Sequence, residues 1–287
     1  MRKSSQRVLW VALFICAGPL IAQDLSGTYS ARVHEEQPER GPGPDLGDYL
    51  GLPITDAARM RADTWDASLL TLPEWQCRPH PADYGPRHSN VRIWNEYDPA
   101  TQQLIAVHFH REWQAQERTI WMDGRAHPPE YAKHSWQGFS TGSFTGGTLT
   151  ITTTHLKTGY IRRNGVPRSS NATLTEHITR HGNYLTWVTI VNDPVYLTEP
   201  FIRSSDYEYD SNRVIPPYPC EAVIEIDRPK GLVPHHLPGT NKFLDEFRLQ
   251  HNLPPDAVRG GAETMYPEYR RKITEVKPPA ANAVAAK

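Results

Sequence analysis

Hydrophobic and polar residues alternate with a period of two through the middle of the chain, as in strands buried on one face. Residues 103–113 show it best. Ile105, Val107, Phe109 and Trp113 share one face, and Ala106, His108, His110 and Glu112 share the other. Comparable runs lie at 91–97, 117–123, 148–155, 172–180, 184–191 and 197–209. A glycine-broken run at 135–144 reads as a bulged strand. Turn signals separate them, among them Asp98-Pro99, Gly146-Gly147, Asn164-Gly165, Gly182-Asn183 and Asp193-Pro194. Threonine and aromatic enrichment suits a pleated surface. The pattern predicts an all-β fold, an antiparallel sheet or barrel over residues 89–212, with no repeat and no long amphipathic helix.

The flanks read differently. Residues 24–88 form a loop-rich arm with a short strand-like run at 25–33. A short helix at 57–63 is capped by Thr55 or Asp56, whose side-chain oxygen accepts from a first-turn amide. Residues 213–275 form a C-terminal strap, with an edge strand expected at 222–226. A helix is expected over 242–250, capped by Thr240 or Asn241, with Phe243, Leu244 and Phe247 packed on the body. Residues 252–267 read as loop. The Pro/Ala-rich residues 276–287 read as a disordered tail.

The first 23 residues change the picture. Arg2, Lys3 and Arg7 precede an apolar stretch from Val8 to Ile21, the form of a signal peptide and too short for a comfortable membrane span. Its removal takes three of the 31 basic residues and none of the 32 acidic ones, leaving a net charge of about −4. That balance lacks the basic footprint of a nucleic-acid binder. Export makes the remaining cysteines, Cys77 and Cys220, a candidate disulfide between arm and strap, against the alternative of two free thiols.

Three groups carry candidate chemistry. His108 and His110 point the same way from one strand, the spacing that chelation by a strand requires, and Glu112 follows them. Zinc there needs a third ligand, and His155 and His177 lie on other strands. The competing reading is a polar lining without metal. Asp123, Arg125 and His127 follow an Asp-Gly turn. The arginine keeps the carboxylate ionised and the histidine suits acid–base work, unless the pair only staples the turn. Arg162, Arg163 and Arg168 form a basic loop that either holds an acidic group bidentately or is simply solvated. Trp113, Trp121, Trp136 and Trp187 are candidate walls of an apolar or sugar-stacking cavity, against the alternative of core packing. Asp193 reads as turn chemistry. No nucleophile elbow, zincin motif, phosphate-binding loop or dinucleotide fingerprint is present in the sequence.

Four motifs occur in order: Trp75-Gln76-Cys77-Arg78-Pro79-His80, Arg118 to Arg125 (RTIWMDGR), Gly146 to Ile151 (GGTLTI) and Asn192 to Pro200 (NDPVYLTEP). In these the chain resembles a family of exported bacterial proteins over roughly residues 65–270, departing from its pattern at Gly147, where an acidic residue is usual. The resemblance implies a lipocalin-like (calycin) barrel and a periplasmic or secreted location, and no activity. The expected protein is therefore an exported antiparallel barrel of eight or so strands. It would bind a small organic ligand in a hollow lined by His108, His110, Asp123, Arg125 and His127, with Glu112, Trp121, Trp136, His155 and His177 nearby. The alternatives are a hydrolase or lyase using those histidines, with or without zinc, and a structural envelope protein with an inert interior.

Overall fold

The computed structural model describes residues 24–32, 43–87, 89–112, 116–221, 223, 226–229 and 231–275. Residues 1–23, read above as a signal peptide, Trp113, the expected tail and part of the expected 222–226 strand lie outside them. The strands are β1 (Gly27–Ala31), β2 (Val91–Tyr97), β3 (Leu104–Arg111), β4 (Gln116–Trp121), β5 (Phe139–Thr145), β6 (Thr148–Thr154), β7 (Gly159–Tyr160), β8 (Pro167–Arg168), β9 (Thr173–His181), β10 (Tyr184–Asn192) and β11 (Phe201–Tyr209).

Nine of them close a barrel in the order β1-β2-β3-β4-β5-β6-β9-β10-β11, while β7 and β8 form a separate two-stranded hairpin. Closure is made by β1, which pairs antiparallel with both β2 and β11. The strand that seals the barrel thus comes from the segment expected to be arm. A second departure is the β4–β5 pair, which is parallel, with Ile120 opposite Ser140. Residues 122–138 supply the crossover that a parallel pair requires.

The apolar face of each strand turns inward. Tyr29, Ile93, Val107, Phe109, Ile120, Leu149, Ile151, Ile178, Trp187 and Tyr207 belong to one buried cluster that fills the barrel. Phe109 and Trp187 meet with ring centroids 4.9 Å apart. Among these apolar groups lies a buried ion pair. Arg118 donates from Nη1 to Glu176 Oε1 at 3.1 Å and from Nη2 to Oε2. Ser140, Thr153 and Trp187 Nε1 complete its bonds. Burying two charges is costly unless their remaining donors and acceptors are satisfied, as here.

One mouth of the barrel is plugged. α1 (Asp56–Asp63), capped by Thr55, contributes Ala58 and Ala62 to a second buried cluster. There they join Leu156, Ile161 and Val166, and Leu174 and Val191 from the ends of β9 and β10. The chain between α2 (Pro73–Gln76) and β2 also crosses this mouth: Tyr207 donates its hydroxyl to Pro86 O, and Arg111 Nη1 donates to Tyr207 at 3.3 Å. The hairpin β7–β8 is locked on by Arg168, fully buried, which donates to Asp83 at 3.0 Å. Its turn needs Gly165, whose φ is +92° and where a Cβ would come within 2.4 Å of Trp65.

Residues 242–275 are more helical than expected. Lys242–Asp245 forms a 3-10 turn capped by Asn241, followed by α3 (Glu246–Gln250). α4 (Pro255–Arg259) and α5 (Pro267–Glu275) stand where loop was expected or nothing assigned. Both begin on proline, whose fixed φ suits the first helical position. The Cys77–Cys220 disulfide forms, with Cα atoms 5.6 Å apart. Beside it Arg228 donates to Glu74 at 3.0 Å, so strap and arm are tied twice.

Candidate functional site

A partly enclosed recess lies outside the barrel, above the plugged mouth and beside the disulfide. It is a cavity of about 190 Å³ whose lining includes Trp75, Arg78, His80, Trp136, Tyr160, Arg163 and Tyr218. α2 and the residues after it supply the first three. The Ala82 N–H donates to Trp136 O at 3.1 Å and the Gln137 side-chain amide donates to His80 O at 2.8 Å, which places the opposite wall. The β7–β8 hairpin brings Tyr160 and Arg163, and the disulfide brings Tyr218.

The walls are aromatic and positive. Trp75 stacks on Tyr160 with planes 15° apart. The Arg78 guanidinium sits 3.6 Å from the Trp75 centroid and 5.0 Å from that of Trp136. Lys157 lies 5.2 Å from the Trp136 ring. Among the described residues the lining contains no Asp or Glu. The nearby Asp83 is engaged by Arg168.

Two titratable groups register this environment. Burial pushes the His80 imidazole down to about 3, and the charges of Arg163 and Arg111 act the same way. His80 is therefore neutral at physiological pH. Burial pushes the Tyr160 phenol up to about 12, against the opposite pull of Arg163 and Arg78.

The histidines of β3 are elsewhere. His108 and His110 face out of the barrel, because Val107 and Phe109 take the inward positions. The expectation of imidazoles lining an enclosed hollow is corrected: a narrow barrel fills with the apolar face of its strands, which sends the polar face outward. His108 stacks on Trp94, lies 2.6 Å from Glu96 Oε2 through Nε2, and meets Thr119 Oγ1 at 3.2 Å through Nδ1. His110 Nδ1 lies 3.5 Å from Glu117. Glu112 accepts from the Asn90 amide.

Asp123 and Arg125 do pair, bidentately, at an exposed turn with Arg125 3.5 Å over Trp121. The Arg125 hydrogen bonds hold the Asp123 carboxyl below its ordinary range. His127 sits apart from that pair in its bonding, shared between Thr154 (2.7 Å) and Thr141 (2.9 Å). Burial, then the neighbouring His155, lowers its pKa. His155 donates to Pro129 O at 2.9 Å, and His177 meets Thr150 on the barrel exterior at 3.1 Å. Among the described residues no group of three or more His, Cys, Asp and Glu side chains is placed to hold a metal ion. His108 and His110 therefore gain no third ligand there.

Of the candidate residues Trp136 and Arg163 reach the cavity. Arg78, His80, Tyr160 and Tyr218 were not singled out. Their signals were the Trp75–His80 motif and the basic loop, whose three arginines part company: Arg162 approaches Asp48, Arg168 takes Asp83, and Arg163 lines the cavity. No family model, curated protein or solved structure matches this chain.

Proposed function

We propose that the protein is an exported binder of a small organic ligand, seated in the Trp75–Trp136–Tyr160 cavity and not in the barrel interior. The carrying observation is the cavity itself: apolar aromatic walls with a few convergent polar groups are the usual make-up of a small-molecule site. The Cys77–Cys220 disulfide supports an oxidising compartment, and no described helix is long and apolar enough to cross a membrane. The barrel then serves as a rigid base, and the plug and strap shape the pocket. The test is a thermal-shift screen of the disulfide-bonded chain from Asp24 onward, with compounds at about 1 mM. Leu70 also lines the cavity, and some compounds should raise Tm in the parent and not in Leu70→Trp, which fills it. No hit in a broad library overturns the reading and returns the structural alternative.

A second reading has one observation behind it. Thr119, His108 and Glu96 place a hydroxyl, an imidazole and a carboxylate in line on the barrel exterior. That order suits acid–base chemistry in a hydrolase or lyase. Turnover in an ester panel that disappears in His108→Ala supports it; turnover unchanged in that variant removes it.

A further inference from the structure

We propose that the β4–β5 crossover is an acid-released latch, closed by two histidines that share one threonine, and that its release unseats Trp136 from the cavity wall. The latch stands on its own geometry. Only its effect on a ligand rests on the binding reading above.

Three histidines tie the crossover to the end of β6. His127 reaches Thr141 through Nε2 at 2.9 Å and Thr154 through Nδ1 at 2.7 Å. His155 reaches the same Thr154 oxygen through Nδ1 at 2.7 Å and Pro129 O through Nε2 at 2.9 Å. His134 Nδ1 donates to Leu156 O at 2.9 Å, and its ring centroid lies 5.2 Å from that of His155.

These contacts assign the protons. A carbonyl only accepts, so His155 carries its proton on Nε2 and, when neutral, takes the Thr154 hydroxyl proton at Nδ1. Thr154 then accepts from His127 Nδ1–H, and neutral His127 accepts from the Thr141 hydroxyl at Nε2. One added proton is absorbed without loss. Cationic His155 donates to Thr154, which turns to donate to His127, which donates to Thr141. A second proton is not absorbed. Two imidazolium N–H groups would aim at one hydroxyl oxygen, and the Thr154 proton would lose its acceptor. Burial and then His155 lower the His127 pKa, the direction this coupling requires.

The groups facing the pair do not offset the second charge. His134 on the crossover and Lys157 after β6 add to it, β5 presents Thr141, and residues 170–173 bring no titratable side chain. Glu130, exposed, is the one carboxylate among the described residues lining this recess.

His155 also holds the backbone. Its φ of +58° is uncommon for a residue with a Cβ. Its carbonyl accepts from Ser135 N–H at 2.9 Å, and Lys157 N–H donates to Ser135 O at 2.9 Å. Trp136 is the next residue. A His155 freed from Thr154 can relax to an ordinary φ, which withdraws the carbonyl that anchors Ser135.

The experiment is amide hydrogen exchange, corrected for intrinsic rates, on the disulfide-bonded chain from Asp24 onward. Protection of Ser135 should fall at least about tenfold between about pH 6.5 and about pH 4.5, while β9 and β10 keep theirs. His127→Gln and His155→Asn each leave one imidazole on Thr154 and should remove that step; His134→Gln should keep it. In the parent, ring-proton NMR should show protection lost with the second of two imidazole titrations. Protection that is flat with pH in the parent, a step that survives in either variant, or loss with the first titration overturns the latch. An uncharged compound from the thermal-shift screen should bind at least about fivefold more weakly at the lower pH in the parent and not in His127→Gln. Unchanged affinity with the latch open overturns the link to Trp136. No binding at either pH counts against the ligand reading and leaves the exchange result standing.

Discussion

At the scale of single residues, His80 shows how burial converts into a measurable property. Its folded-state pKa lies far below the unfolded value of 6.5, chiefly through desolvation. Between those values the unfolded chain binds a proton that the folded one refuses. The stability His80 contributes is therefore complete above pH 6.5 and is lost as pH falls toward 3. Chemical denaturation should show about 2 kcal/mol less stability at pH 5 than at pH 7 from this group, with His127 acting in the same direction. His80→Phe keeps a ring against Tyr84 and should flatten the profile over that range. An equally steep profile in the variant would remove His80 as its source. The sequence showed His80 only inside a motif. Nothing in its neighbours announces that Arg111, at the end of a strand, stands close enough to matter.

At the scale of elements, the strands were legible and their sidedness was not. The alternation on β3 fixed which residues share a face, because the pleat fixes it. Whether the apolar or the imidazole face looks into the barrel depends on how wide the barrel is, and that is a property of nine strands together. The caps of α1 and of the 242–245 turn were readable because capping is local. The β1 closure and the β4–β5 parallel pair were not, since both depend on pairings between distant segments. The same non-local logic places Arg118 against Glu176. Glu176→Ala strands a buried guanidinium and should cost about 3–5 kcal/mol in urea unfolding, whereas the double change Arg118→Met with Glu176→Leu should cost much less. Equal losses in both variants would mean that the pair is net favourable.

At the scale of the molecule, barrel and pocket are built by different parts of the chain. The barrel's hydrogen bonds run from β1 to β11 and omit the strap. The cavity needs the strap, because Tyr218 is placed by Cys220, two residues on. Reduction of the disulfide should thus release a wall of the pocket while the barrel persists. Far-UV circular dichroism should stay near native, and ligand affinity should fall by at least about tenfold, the measure of one lost wall contact. Affinity unchanged after reduction would show that Tyr218 is dispensable. The chemistry of the pocket was present in the sequence as residue types: tryptophans, a Cys-Arg-Pro-His run and paired arginines. Their convergence was not, because segments around residues 75, 136, 160 and 218 meet only once the mouth is plugged and the disulfide closed.

Where the ligand sits is best tested by following tryptophan indole N–H signals by NMR as a compound found in the thermal-shift screen is added to the disulfide-bonded protein. Trp75 and Trp136 line the cavity, Trp187 lies within the barrel bonded to Glu176, and Trp94 stacks on His108 outside it. The account predicts saturable shifts at Trp75 and Trp136 with Trp187 and Trp94 still. Shifts led by Trp187 or Trp94 would contradict it.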